Sequence, residues 1–146
     1  MKYSNKSVLL CLFLSIFMST SLIAQPYGQI FTKQEAEGQF GPVLTSVTFT
    51  RQNIQHYLTQ TNNYIMFRVV NNSAIILDNH RMPLYPIGVK MNSSDQYVMY
   101  STSVLEELLS LGNNNTVYIE QRSNVLSISN GEFTMEVGVL CPPICP

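Results

Sequence analysis

Between Thr116 and Leu140 apolar and polar residues alternate through TVYIEQR, VLSIS and EFTMEVGVL, with Ser123-Asn124 and Asn130-Gly131 at the joints. Alternation at period two belongs to strands with one buried face. Asn-Gly fits a two-residue hairpin because both central residues of a type I′ turn need positive φ. With Ser123-Asn124 as such a turn, Arg122 faces Val125, Ile119 faces Ile128 and Val117 faces Asn130. With Asn130-Gly131 as the next, Ser129 faces Glu132, Ile128 faces Phe133 and Leu126 faces Met135. Paired residues share a face, so the two registers must agree. One face then collects Val117, Ile119, Leu126, Ile128, Phe133, Met135, Val137 and Val139. The other collects Tyr118, Glu120, Arg122, Ser127, Ser129, Glu132, Thr134 and Glu136. The stretch reads as a three-stranded antiparallel meander with a core face and a polar face.

The start of the chain reads as a secretory signal peptide over residues 1–24. Lys2 and Lys6 precede an apolar run from Val8 to Met18, then small and polar residues lead to Ala24-Gln25. The run is short for a bilayer span, and no later stretch is apolar enough to follow it, so no transmembrane segment is expected after cleavage. Leu9-Leu10 before Cys11 lacks the small residue that an acylation signal places beside its cysteine. Removing Lys2 and Lys6 from the eight Lys and Arg leaves six against nine Asp and Glu, a net charge of −3. Without a basic cluster, phosphate neutralisation has no source and nucleic-acid binding is not expected. The reading is an exported protein of periplasm, envelope or medium, with bacterial origin preferred over the glycosylation reading of Asn71, Asn92 and Asn114.

Residues 25–42, rich in Gln and Gly, read as a flexible arm with room for a short strand at Gln29 to Thr32. Residues 43–140 form the single domain. Val47 and Phe49 mark a strand, and Thr50 caps a helix carrying Ile54, Tyr57 and Leu58 to about Gln60. Tyr64 to Val70 and Ser73 to Leu77 form a hairpin about Asn71-Asn72. Ile65, Phe67, Val69, Ala74 and Ile76 lie on one side of it, and Met66, Val70, Ile75 and Leu77 on the other. Apolar on both faces, it is expected to be covered on each. Pro83 and Pro86 confine the next strand to an edge. Tyr97 to Tyr100 is a further strand. Ser103 with Glu106 forms a capping box before the stripe Val104, Leu105, Leu108, Leu109 and Leu111, which ends at Gly112.

The two halves match in order. Val47-Thr48-Phe49-Thr50 is like Val98-Met99-Tyr100-Ser101, and advancing by 52 places Ile65 on Val117, Phe67 on Ile119, Asn72 on Asn124 and Ile76 on Ile128. Either this is a duplicated strand–helix–meander unit or a coincidence of alternating patterns. Both give an α+β fold, a two-layer antiparallel sheet with two helices packed on one face.

Chemistry-bearing residues are few. His80 with Asp78 as orienting carboxylate and Arg81 as anion holder forms the one catalytic constellation, and it lacks a nucleophile. A tight turn also asks for Asp78-Asn79. No metal site and no cofactor are expected: two histidines, His56 and His80, match no ligand pattern, and Cys141 and Cys145 match neither a redox nor a zinc spacing. In the tail, residues 141–146, they are expected to form a disulfide, with pairing to a partner's cysteine as the alternative. Tyr118, Glu120 and Arg122 on the polar face, with Tyr97 and Tyr100 near the edge, are expected to form a recognition surface. The function expected is a small non-enzymatic binding module for a protein or glycan. A small hydrolase built on His80 and Asp78, or a structural envelope component, are the alternatives.

Overall fold

The computed structural model describes residues 26–142, 144 and 145; the expected signal peptide lies outside them. The chain is α+β, with antiparallel sheet in two layers and helices packed against it. Strands β1 (Gln29–Thr32), β2 (Thr45–Thr50), β3 (Tyr64–Val70), β4 (Ser73–Leu77), β5 (Pro83–Tyr85), β6 (Tyr97–Ser101), β7 (Thr116–Gln121), β8 (Leu126–Ser129), β9 (Phe133–Glu136) and β10 (Val139–Cys141) divide between two sheets. The first sheet runs β1-β9-β8-β7-β2, the second β10-β6-β3-β4-β5. Helices α1 (Lys33–Phe40), α2 (Arg51–Leu58) and α3 (Thr102–Ser110) precede β2, β3 and β7.

The halves correspond in register as well as in order. Phe67 opposite Ile76 in the first meander becomes Ile119 opposite Ile128, 52 residues on, in the second. Each lead strand pairs with the other half's meander: Thr50 lies opposite Thr116, and Ser101 opposite Tyr64. Helix α2 therefore carries the chain from the first sheet to the second, and α3 carries it back.

One core lies between the inner faces. Ile65, Phe67, Ala74, Ile76 and Tyr100 from the second sheet meet Phe49, Val117, Ile119, Leu126, Ile128 and Met135 from the first, joined by Ile54 of α2 and Leu105 and Leu108 of α3. The hairpin is covered on both sides as its sequence demands. Met66 and Leu77 on its outer face pack with Tyr97, Met99 and Cys141. Asn71 and Asn72 both take positive φ in its turn.

Four local expectations are corrected. Residues 26–42 are not a flexible arm: the short strand expected at Gln29 to Thr32 forms as β1 against β9, and α1 follows it. Helix α1 is set by a reciprocal cap in which the Glu35 carboxylate accepts from the Thr32 N–H at 2.9 Å and the Glu35 N–H donates to the Thr32 hydroxyl at 3.3 Å. The N-cap of α3 is Ser101, not Ser103, and its hydroxyl accepts the Tyr27 N–H at 2.7 Å instead of capping. The β8–β9 turn is displaced by one residue from Asn130-Gly131: the Asn130 N–H donates to the Phe133 carbonyl at 3.0 Å, which leaves Gly131-Glu132 at the tip. Ile128 lies opposite Met135 and Ser129 opposite Thr134, a shift of two residues that leaves every side chain on its expected face. Asn130 is the cause. Its amide donates to the Leu108 and Leu111 carbonyls at the end of α3, at 3.0 and 2.7 Å, and its Oδ1 accepts the Glu132 and Phe133 N–H groups.

The fourth correction concerns Val137 and Val139, which leave the first sheet's apolar face. Val137 takes φ 63° and is exposed, and Val139 begins β10, which pairs with β6. Gly138 between them permits the crossing, because a Cβ there would stand 2.4 Å from Val98 and 2.8 Å from Tyr100.

Asn130 thus joins a helix end to a turn with four hydrogen bonds. Asn130→Ala leaves two helix carbonyls and two turn amides to find other partners, and is expected to destabilise by about 2–4 kcal/mol. Urea unfolding checks this; a loss below about 1 kcal/mol would show that solvent replaces the side chain.

Candidate functional site: the outer face of the first sheet

The polar face of the second meander is divided by α1. Helix α1 lies against β1 and β9 with Ala36 fully buried, so the carboxyl half of that face is closed rather than wet. Glu120, Arg122, Ser127, Ser129, Thr134 and Glu136 are all buried. The expectation that Glu120 and Arg122 present themselves to a partner is corrected, and the covering segment is the one read as an arm.

Arg122 organises the closed half. Its guanidinium stands 3.2 Å from Glu136 Oε1 and 3.5 Å from Glu120 Oε2, donates to Ser127 Oγ at 3.1 Å and donates to the Gly41 carbonyl just past α1. Ser127 donates in turn to Glu136 at 2.6 Å. Two carboxylates share one cation here, and Glu136 Oε2 and Thr134 Oγ1 have no hydrogen-bond partner among the described residues. Burial accordingly pushes both glutamates above the ordinary value of 4.5, against the pull of Arg122.

The open half lies over β7 and β2. There Thr48 is opposite Tyr118 and Ser46 opposite Glu120. A groove of about 490 Å³ is lined by Lys33, Ser46, Asn114, Tyr118, Glu120 and the Gly131-Glu132 turn. Gly131, at φ 94°, would carry a Cβ 2.9 Å from the Asn114 amide and 3.7 Å from the Tyr118 ring, so its hydrogen keeps this wall low. Strand β2 is the edge of the sheet. The Arg51 N–H donates to the Asn115 carbonyl at 2.8 Å across β2 and β7. By the alternation of an antiparallel ladder, Thr45, Val47 and Phe49 turn their backbone groups to β7, and Ser46 and Thr48 turn theirs outward.

The remaining sequence-predicted residues lie elsewhere. Tyr97 and Tyr100 are 1% and 0% exposed, which corrects their place on a recognition surface. Tyr100 sits in the inner core and donates to the Leu126 carbonyl. Tyr97 is flanked by Arg68 and Arg81, whose guanidinium carbons stand 5.7 and 5.4 Å from the ring centre. Asp78 does not orient the His80 ring. Its carboxylate accepts the His80 and Met82 N–H groups at 2.9 and 2.7 Å, as a turn requires, while the ring contacts the Asn79 amide. Among the described residues no His, Cys, Asp and Glu grouping could hold a metal ion, and no helix is long and apolar enough to cross a membrane. Cys141 and Cys145 lie at disulfide distance, 1.93 Å between sulfurs.

Two measurements test the closed half. Arg122→Met leaves Glu120 and Glu136 without their cation and is expected to cost about 3–5 kcal/mol in urea unfolding; a loss under 1 kcal/mol would mean the charges were never jointly held. Raised carboxyl values make stability from these groups full below pH 4.5 and lost as pH climbs through their folded values. Glu136→Gln removes one of the two titrations, so its stability relative to wild type should improve as pH rises above 4.5 and level off once the folded carboxyl has ionised. A flat difference would show Glu136 titrating as an ordinary exposed glutamate. Comparison of the chain with protein-family models, with curated proteins and with solved structures finds no match.

Proposed function

We propose that this protein is an exported binding module that takes an extended polypeptide segment along the free edge of β2. A side chain of that segment enters the groove at Tyr118. The observation that carries this reading is internal to the molecule. Strand β6 is the counterpart of β2 in the other half, and its edge already bears an added strand: β10 pairs with it at Tyr97, Val98 and Met99. The corresponding positions in β2, matched through the equivalent caps Thr50 and Ser101, are Ser46, Val47 and Thr48. The twin edge takes an added strand, and β2 offers the same backbone groups unpaired among the described residues.

Three features favour β2 over the other edges. Its six residues contain no proline and no lysine, whereas β5 begins at Pro83 and β10 and β1 are shorter. Ser46 and Thr48 are exposed. Backbone pairing supplies affinity in such complexes, and a pocket for alternate side chains supplies choice. Exposed Glu132 and Lys33 both line the groove, which favours a segment bearing a polar or amide side chain there. The signal-like residues 1–24 and the disulfide-distance pair support an oxidising, exported setting.

Selection of peptides from a random extended library, followed by amide hydrogen exchange, tests the reading. A bound peptide is expected to slow exchange at Ser46 and Thr48. Thr48→Pro removes an outward donor and spares the pairs to β7, so it should weaken binding about tenfold while the protein stays folded. Peptide binding that leaves both amides exchanging freely would overturn strand addition. Binding of glycans, with Tyr118 perturbed and β2 untouched, would replace the polypeptide by a sugar.

A further inference from the structure

The C-terminal ring of Cys141 and Cys145 has a cation built against it. Cys141 ends β10 with no exposed surface, packed among Met66, Leu77, Tyr97 and Met99, whereas Cys145 is exposed. Arg81 Nη1 lies 3.9 Å from Cys141 Sγ and 4.0 Å from Cys145 Sγ. The guanidinium is held in place on two sides: Nη2 donates to the Asp95 carbonyl at 3.1 Å, and the Tyr97 ring lies beneath it. Its backbone takes φ 63°, a conformation that arginine rarely adopts. The Asp95 carboxylate is engaged by Arg68 at 2.7 Å, so Arg81 has no carboxylate at ion-pair distance among the described residues. A disulfide that merely stiffens a tail needs no such neighbour.

We propose that Cys141–Cys145 is a thiol-exchange site, in which exposed Cys145 captures an incoming thiol and Arg81 stabilises Cys141 as the leaving thiolate. The incoming thiolate sulfur attacks Cys145 Sγ; the S–S bond to Cys141 breaks, and its electron pair stays on Cys141 Sγ beside the guanidinium. The thiol is oxidised to a mixed disulfide and Cys141 is reduced, so no further oxidant enters. Return attack by Cys141 on Cys145 releases the thiol and closes the ring. A burial site that would otherwise oppose a thiolate is made tolerable by the adjacent cation, and a more stable leaving thiolate departs faster.

The test incubates the folded protein with glutathione, or separately with a short cysteine peptide, and follows the adduct by mass spectrometry. The adduct is expected on Cys145, forming several-fold faster than on the free oxidised peptide Cys-Pro-Pro-Ile-Cys. Asparagine tolerates left-handed backbone, so Arg81→Asn removes the charge with little change of conformation and should slow capture about three- to tenfold. Loosening of the fold would instead expose Cys141 and accelerate the reaction, so a slower rate reports the charge. Faster capture of the peptide than of glutathione names a protein cysteine as the source of the thiol, and the reverse names a small thiol. An adduct on Cys141, or a folded protein no faster than the free ring, overturns the proposal.

Discussion

The fold rests on an exchange. Neither meander is completed by the strand that precedes it: β2 pairs with β7, and β6 pairs with β3. A three-stranded meander with one apolar face cannot bury that face alone, and the exchanged lead strands bind the two meanders into layers that bury each other's. The helices follow from this topology, since α2 and α3 must each cross from one sheet to the other and so deliver Ile54, Val104, Leu105 and Leu108 to the shared core. Unfolding one half would remove a strand from the sheet of the other, which makes the two halves one cooperative unit rather than two small domains.

The outer faces are where the halves diverge. The second sheet's is apolar, and Tyr27, Met91 and the start of the tail pack against it. The first sheet's is polar, and its cover is α1, a helix with one fully buried residue, Ala36. Such a helix brings little apolar area, so the contact is fixed by polar means. Lys33 N–H donates to the Glu132 carbonyl at 3.1 Å, and Arg122 reaches through the sheet's outer layer to the carbonyl of Gly41. A buried cation between two carboxylates adds little net stability compared with apolar packing, but its bonds have direction. They set where α1 lies, and thereby how much of the face around Tyr118 stays open.

Legibility followed the source of each constraint. The alternation of Thr116 to Ser129, and the two apolar runs of Tyr64 to Leu77 about Asn71-Asn72, were enough for both hairpins. The same alternation could not separate two β8–β9 registers that differ by two residues, since every side chain keeps its face. Choosing between them required knowing that the Asn130 amide belongs to the end of α3, a contact between residues 22 apart in sequence. Helix α1 carried a readable signal, the Thr32-x-x-Glu35 box, but no apolar stripe to support it. With α1 read as an arm, Glu120 and Arg122 had to look solvated. Tyr97 and Tyr100 failed for another reason. Counting strands does not say which lie at edges or which face is inward: β10 pairs over the edge at Tyr97, and Tyr100 points into the core between the sheets.

The same unequal filling of the edges supports the site proposed at β2. The two matching halves have two lead-strand edges and two meander ends, four positions related in pairs. The chain beyond the repeat fills one of each pair: β1 lies beside β9, and β10 beside β6. Of the two left open, β5 carries Pro83 where a ladder amide would be and is further distorted by a register shift opposite Ile76 and Leu77. Strand β2 has neither protection. An exposed, regular, proline-free edge is a hazard that soluble proteins tend to blunt, and here it is preserved beside a groove with a tyrosine on its floor. The two matching halves present two equivalent edges, and filling one from within leaves its counterpart at the edge of the sheet among the described residues. Under the proposed function, the strands added outside the two matching halves, rather than the halves themselves, would distinguish a binding edge from a structural one.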